Sequence, residues 1–519
     1  MKSEFQKTAG SASLIGITAL GGAVVGFFLQ LLVAYYFGAS SNTDAYFMAA
    51  STSDLLSKLL LGGSITAVFI PLFVQLLNTR GKHVAWYMAL NILHIFSAIF
   101  IVALLALAFF DEHFIRFIAP GFDAETMRLT TELLWVLLPS FLFLFLVDIT
   151  TAILYSFKQF NLPAWLRIIA PSASIVSLLF LAPRIGIYAM AVGTVVGSIL
   201  QLAFLMYGLH KQGLHYKWVL NVKDPLIRRL LHLVYPFVLS VLVTQSAGIV
   251  YRVLVSNLPE GSLTALKFAE KITQLSTIIF LTSITTVIYP LLSEKASEKD
   301  FTGMRETIAS AIRLMFLITV PLIIGIVMLR DPLVSFIFER GSFNSFDAQQ
   351  TSIALLFLVL GLTINGISSV LGHTTLALQQ TRASVAVSIS SQAIAIFLFI
   401  LLVPVLGHSG LALASSLVPI SITGLYFLYL RQFIPQLWRI FWHRTFLKVG
   451  FLALLLTAVL YYTIPLASAF SAPRQISLLL QLAIPSILGS IIFFGGSWLL
   501  HVQETHELWN IMKNKLSLK

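Results

Sequence analysis

Predominantly apolar runs of about 20 residues or more recur along the chain, separated by polar connectors, and each is long enough to cross a hydrocarbon core of roughly 30 Å as a helix. The pattern predicts spans over about 11–37, 44–76, 84–109, 130–157, 163–182, 186–209, 232–257, 264–292, 307–329, 349–378, 383–404, 409–430, 445–465 and 476–500. Strands of a membrane β-barrel would instead alternate polar and apolar residues over about ten positions, which these runs do not. The expected fold is an all-α polytopic membrane protein of about fourteen transmembrane helices.

The spans repeat. Ile65-Thr66-Ala67-Val68-Phe69-Ile70-Pro71-Leu72 closes the second, and Ile284-Thr285-Thr286-Val287-Ile288-Tyr289-Pro290-Leu291 closes the eighth. Phe122-Asp123-Ala124 and Phe346-Asp347-Ala348 form a second pair, again about 220 residues apart. Six helices per repeat is an even number, so both halves enter the membrane in the same direction and form a parallel repeat of two six-helix lobes. The expected organisation is an N-lobe over 1–209, a basic cytoplasmic linker over 210–231, a C-lobe over 232–430, and a segment over 431–519 holding two extra helices and a cytoplasmic tail. A duplicated membrane body of this kind is the recurring architecture of transporters, with the ligand site at the repeat interface.

Composition agrees with this pattern: 58% of the residues are hydrophobic and 10% charged, against about 25% charged in an average soluble domain. The first segment, led by Lys2, Glu4 and Lys7, continues into a full span and reads as a retained anchor. The formal net charge of +12 would suggest nucleic acid in a soluble protein. Here the excess follows alternate connectors instead: Arg80 and Lys82; Lys158; Lys211, Lys217, Lys223, Arg228 and Arg229; Lys295, Lys299 and Arg305; Arg382; Arg431, Arg439 and Arg444; Lys513, Lys515 and Lys519. On the other side, Gly38–Thr43 and 405–408 carry no charge and the 111–128 stretch is acidic, which puts both termini of a multi-pass membrane protein in the cytoplasm, with lipid headgroups and no nucleic acid as partners. The chain has no cysteine, which excludes disulfides and thiol catalysis.

Charges inside spans are costly, about 2.5–3.5 kcal/mol each at a helix centre, so each needs a partner or a wet cavity. The second span carries Asp44, then Asp54 and Lys58 four residues apart on one face. The eighth carries Lys267, Glu270 and Lys271; the seventh carries Arg252 and the fourth Asp148. The second and eighth spans are the pair that ends in the repeated phrase. Two readings stand for these residues. In one, Asp54 with Lys58, and Glu270 with Lys267 or Lys271, are structural pairs that neutralise each other. In the other, Lys58, Arg252 and Lys271 line a cationic cavity suited to an anionic substrate such as a pyrophosphate, with Asp44, Asp54, Lys267 and Glu270 as pairing or gating groups. Asp148, alone among Phe, Leu and Val, reads as a buried hydrogen-bonding group or a coupling group. Pro71 and Pro290 should kink or end their helices at matching places. Gly21, Gly22 and Gly26, and Gly62-Gly63, suit close helix packing or bending. No nucleophile elbow, phosphate loop, zinc spacing or paired-acid signature occurs, so the reading is a transporter without metal or cofactor.

Phe37-Gly38-Ala39-Ser40-Ser41-Asn42-Thr43-Asp44-Ala45-Tyr46-Phe47, followed by Ala67-Val68-Phe69-Ile70-Pro71, resembles the MviN/MurJ family of lipid II flippases in the MOP superfamily. Ile118-Ala119-Pro120-Gly121-Phe122, Ala269-Glu270-Lys271, Pro290-Leu291-Leu292-Ser293, Phe338-Glu339-Arg340-Gly341-Ser342-Phe343 and Ala377-Leu378-Gln379-Gln380-Thr381-Arg382 follow in the family's order. The resemblance implies two lobes around a cationic cavity for the pyrophosphate and sugar of an undecaprenyl-linked precursor, with the last two helices forming a groove for the lipid tail. It also implies alternating access driven by membrane potential. Family arginines of the first helix fall here on Ala23 and Leu29; an Arg-Arg pair and an Ala-Glu-Gly of the second fall on Ser57-Lys58 and Leu61-Gly62-Gly63.

The function expected is alternating-access flipping of a polyprenyl-pyrophosphate-linked glycan, foremost the peptidoglycan precursor lipid II, by a monomer that works beside the cell-wall synthesis machinery. The alternatives are an exopolysaccharide or O-antigen flippase of the same superfamily, a membrane-embedded glycosyltransferase or ligase, and a non-transporting scaffold.

Overall fold

The computed structural model describes residues 2–61, 64–214, 216–469, 472–507 and 513, and no strand occurs among them. Two compact units, Met1–Thr264 and Ala265–Lys519, divide the chain. The first holds α1 (Lys2–Phe37), α2 (Ser41–Leu61), α3 (Ser64–Thr79), α4 (Lys82–Phe109), α5 (Asp111–Ile118), α6 (Ala124–Ser156), α7 (Asn161–Ile185), α8 (Tyr188–Lys211) and α9 (Pro225–Ser256). The unit boundary falls in the first turn of α10 (Ser262–Ser276). A π-helical segment, Thr277–Leu281, leads into α11 (Thr282–Ser297), followed by α12 (Phe301–Phe338), α13 (Ser345–Leu360), α14 (Leu362–Ala377), α15 (Thr381–Leu406), α16 (His408–Leu430), α17 (Arg444–Ser468) and α18 (Arg474–Leu499).

Among the described residues, eleven helices are long and apolar enough to cross a membrane, and up to twelve if the bent pair Ser262–Leu281 and Ile284–Ser297 is one span. The two other expected spans correspond to α2–α3 and α9, where the described apolar stretches are the short Phe69–Thr79 and Val241–Ser256. Gly62 and Gly63, and the side chain of Asp54, lie outside the described residues.

Two boundaries differ from the sequence pattern. The acidic connector before α6 contains α5, an eight-residue helix too short to register as a span; it buries Ile115 and Ile118, and Asp111 Oδ2 accepts the Trp135 indole N–H at 2.7 Å. The ninth span extends well beyond 307–329, because α12 runs through Pro321 and Pro332 without ending.

Small residues set the helix spacing in the first unit. A Cβ at Gly22 would lie 2.6 Å from Arg167 Cβ, and one at Gly193 would lie 2.7 Å from Ser174 Cα. The backbones of α1 and α8 thus approach α7 as close as glycine allows. In the second unit α17 and α18 pack on α12 around Leu317, Val449, Leu452, Leu456, Leu460, Phe493 and Val502. The segment after α18 is fixed to this body by Glu504, which is buried, pairs with Arg313 of α12, and accepts the Thr445 hydroxyl at 3.1 Å.

Candidate functional site

The family-like phrase at the start of α2 forms one half of a reciprocal cap. Gly38 turns the chain at φ 64°, and the Thr43 hydroxyl accepts Ser40 N–H at 2.9 Å. Asp44, buried, then receives the start of α10: Oδ2 accepts Gly261 N–H at 2.8 Å, and Oδ1 accepts Thr264 N–H at 2.8 Å and the Thr264 hydroxyl at 2.6 Å. In return Glu260 Oε1 accepts Ser41 N–H, the first of α2, at 2.8 Å. Ser41 and Glu260 stand 219 residues apart, and Asp44 and Thr264 stand 220 apart, matching the internal repeat. Each carboxylate therefore caps the N-terminus of the helix equivalent to its own, where free N–H groups and the helix dipole favour negative charge.

Asp44 is thus a helix cap; among the described residues it makes no ion pair, contrary to the pairing role expected of it. Its oxygens are saturated by neutral donors. Glu260 lies outside the sequence expectations, although its place two residues before a helix start is a usable signal. Gly261 is required where it stands: its φ is +80°, and a Cβ there would meet Ala39 O at 2.4 Å. Gly121, in the Ile118–Phe122 phrase, is just as constrained, since a Cβ would lie 2.5 Å from Ser256 O, and its N–H donates to Ser256 Oγ at 3.2 Å. Beside these turns lies a polar cavity of about 450 Å³ with Asp44, Asp123, Glu125 and Glu260 on its walls.

The cations of the first unit sit further along the same helices. Arg252 of α9 donates from Nε to Ser51 Oγ at 2.9 Å, from Nη2 to Ser51 O at 3.2 Å, and from Nη1 to Gly248 O at 3.0 Å, so it bridges α9 to α2. Lys58 is exposed near the end of α2. Asp148 is exposed on α6 rather than buried.

In the second unit α10 resolves an ambiguity of the sequence. Lys267 Nζ pairs with Glu270 Oε2 at 2.8 Å, both about one third exposed. Lys271 is half-buried and has no partner among the described residues. Neither proline ends its helix: α3 continues past Pro71 to Thr79, and α11 past Pro290 to Ser297. The 44° bend of this region lies before Pro290, between Leu281 and Ile284, directly after the π-helical segment Thr277–Leu281. A π segment inserts an extra residue per turn and breaks the hydrogen-bond ladder without needing a proline.

A third feature is apolar. Between α12, α17 and α18 lies a groove of about 410 Å³ lined by Pro321, Leu322, Leu329, Leu456, Leu482 and Phe494, among others. Gly325 faces it with no atom within 4 Å of the place a Cβ would take, whereas at Gly489 a Cβ would meet Leu456 Cδ1 at 2.6 Å. The groove is therefore open on α12 and tightly closed where α17 meets α18.

The family model "Lipid II flippase MurJ" matches residues 33–481. The chain belongs to the MurJ family. Membership accounts for the ordered phrases noted above and makes the chain a multi-pass membrane transporter rather than an enzyme. A relative from Rickettsia prowazekii, described as a probable lipid II flippase MurJ, is 25% identical over 92% of this chain and 95% of its own length. The solved structure described as "Lipid II flippase MurJ, inward closed conformation" has 27% identity and a TM-score of 0.78, covering 93% of this chain and 98% of that one. A multidrug-resistance MATE transporter of the MOP superfamily, in an inward-facing conformation, has 18% identity and a TM-score of 0.65, and shares the fold.

Proposed function

We propose that this chain flips lipid II from the cytoplasmic to the outer leaflet of a bacterial inner membrane, with both termini in the cytoplasm. The observation that carries the headgroup part of this reading is the pairing of Lys267 with Glu270, which leaves Lys271 half-buried with no carboxylate beside it among the described residues. A compact ammonium in that state suits a pyrophosphate. Within the first unit Lys58 and Arg252 are further cations, and Ser51 presets the Arg252 guanidinium.

The groove on α12, α17 and α18 suits the polyprenyl tail, being apolar and long enough to involve three helices. Filling it should impair transport without unfolding the protein. Gly325→Phe is expected to lower flipping several-fold and leave the thermal unfolding midpoint within about 2 °C, since the site has room for the ring. Unchanged flipping by Gly325→Phe would remove the groove from the mechanism.

We propose membrane potential as the driver. A diphosphate headgroup moving outward across an inside-negative membrane runs downhill by about 2.3 kcal/mol per charge per 100 mV. Rescue of a flippase-depleted bacterium tests the function as a whole, with lipid II exposure at the outer leaflet as readout. Growth with restored exposure is the expected result. No rescue by well-expressed protein, together with export of another polyprenyl-linked glycan, would reassign the substrate to the exopolysaccharide or O-antigen class.

A further inference from the structure

The connector after α8 is held against α4. Gly213 turns the chain with φ +82°, and the residues up to Asp224 that the structure describes run beside α4 without helix or strand. Asn91 grips the connector backbone from both sides: its Nδ2 donates to Asn221 O at 3.0 Å, and its Oδ1 accepts Asn221 N–H at 2.8 Å. His94, buried, has Nδ1 2.9 Å from Val219 O and Nε2 2.9 Å from Tyr216 Oη, and its ring lies 4.4 Å from that of Trp218. Asn91 and His94 lie about 13–18 Å along α4 from its start at Lys82, at 1.5 Å per residue. Two polar residues inside an apolar span are thus satisfied by the connector, which is drawn up along the helix.

The connector turns Tyr216, Trp218, Leu220 and Val222 outward, Trp218 with 71% of its surface exposed. Aromatic and aliphatic side chains on a basic segment fit a membrane–water interface, where Trp and Tyr concentrate. Beneath the connector is a cavity of about 430 Å³ lined by Lys82, His83, Trp86, Tyr87, Leu90 and Lys217, among others. Lys82 Nζ rests 5.8 Å from the centre of the Phe157 ring and close beside Gly213, where a Cβ would approach it to 3.3 Å. Among the described residues no carboxylate lies within ion-pair distance of Lys82 or Lys217. The Tyr87 hydroxyl accepts from Asn221 Nδ2 at 3.4 Å and keeps its own proton to donate.

We propose that this cavity binds the headgroup phosphate of an anionic phospholipid. Lys82 and Lys217 supply the charge, and Tyr87 donates a hydrogen bond. Trp86 and Leu90 give the glycerol and upper acyl region an apolar wall, and Trp218 beds the connector in the same leaflet. A free phosphate would meet the same two ammonium groups but would make no use of the apolar wall. The site stands apart from Lys58, Arg252 and Lys271 in the sequence, and its occupancy does not depend on which substrate is flipped.

Native mass spectrometry of the full-length chain, purified in detergent and titrated with phosphatidylglycerol or phosphatidylcholine, tests this. Saturable phosphatidylglycerol adducts are expected, weakened about tenfold or more in Lys82→Gln/Lys217→Gln, since each interfacial cation contributes appreciably to anionic-lipid binding. Lys299→Gln/Arg431→Gln, on other connectors, should bind like the unmodified chain, and excess inorganic phosphate should not displace the lipid. If the double variant does not fold, Lys217→Gln alone, on the exposed connector, should still show a several-fold loss. Equal binding by the Lys82/Lys217 variants, an equal loss in the Lys299/Arg431 control, or displacement by inorganic phosphate would each overturn the assignment to a phospholipid.

Discussion

Lys271→Ala is expected to reduce lipid II flipping at least ten- to hundredfold while leaving a folded protein. Charge-assisted hydrogen bonds are each worth about 1.5–3 kcal/mol, and loss of the α10 ammonium that Glu270 does not neutralise removes at least one of them. Glu270 cannot substitute or interfere, because Lys267 holds it at 2.8 Å. No hydrogen bond or ion pair among the described residues depends on the Lys271 side chain, so size-exclusion behaviour and thermal unfolding should stay close to those of the unmodified chain. Lys271→Arg keeps the charge but exchanges a compact ammonium for a planar fork, and partial activity is expected. The same variant separates charge from mere size: if Lys271→Ala and Lys271→Arg transport equally well, the ammonium does not contact the substrate.

Asp44→Ala should be the most destabilising single change in the reciprocal cap. It strands two backbone N–H groups and the Thr264 hydroxyl in a buried place, and an unsatisfied buried donor costs about 1–3 kcal/mol. A lower thermal unfolding midpoint and loss of transport are expected together. Asp44→Asn retains one acceptor oxygen and should fall between the two. Glu260→Gln should cost far less, because Glu260 is exposed and water can replace it at Ser41. Gly261→Ala attacks the same joint from the backbone side, through its positive φ and the 2.4 Å approach to Ala39 O, and should resemble Asp44→Ala. An unfolding midpoint for Asp44→Ala equal to that of the unmodified chain would remove the cap from the account.

Most of the helical framework is legible in the sequence because span length and apolar content report directly on a bilayer. The repeat is legible as well, and the reciprocal cap joins repeat-related positions. What escapes depends on tertiary contacts between distant segments. Asp44 is marked by its phrase, but its partners Gly261 and Thr264 are some 220 residues away, and a carboxylate in a span reads as half of an ion pair until neutral donors are seen around it. Which of Lys267 and Lys271 pairs with Glu270 cannot be read from spacing, since only the geometry of α10 distinguishes them. Pro290 draws the expected kink to itself, whereas the bend follows a π-helical segment for which no residue pattern is diagnostic. Asn91, His94 and Glu504 carry no sequence signal because each is satisfied by a segment remote in the chain: the connector for the first two, and Arg313 and Thr445 for the third.

The central claim is that this chain, through Lys271, carries the diphosphate headgroup of lipid II across the membrane. The most direct measurement is lipid II access to a membrane-impermeant probe in liposomes containing the purified chain, under an imposed inside-negative potential. The account predicts outward appearance of lipid II with the unmodified chain and almost none with Lys271→Ala. Appearance no faster than in protein-free liposomes, or equal rates for the two proteins, would contradict it.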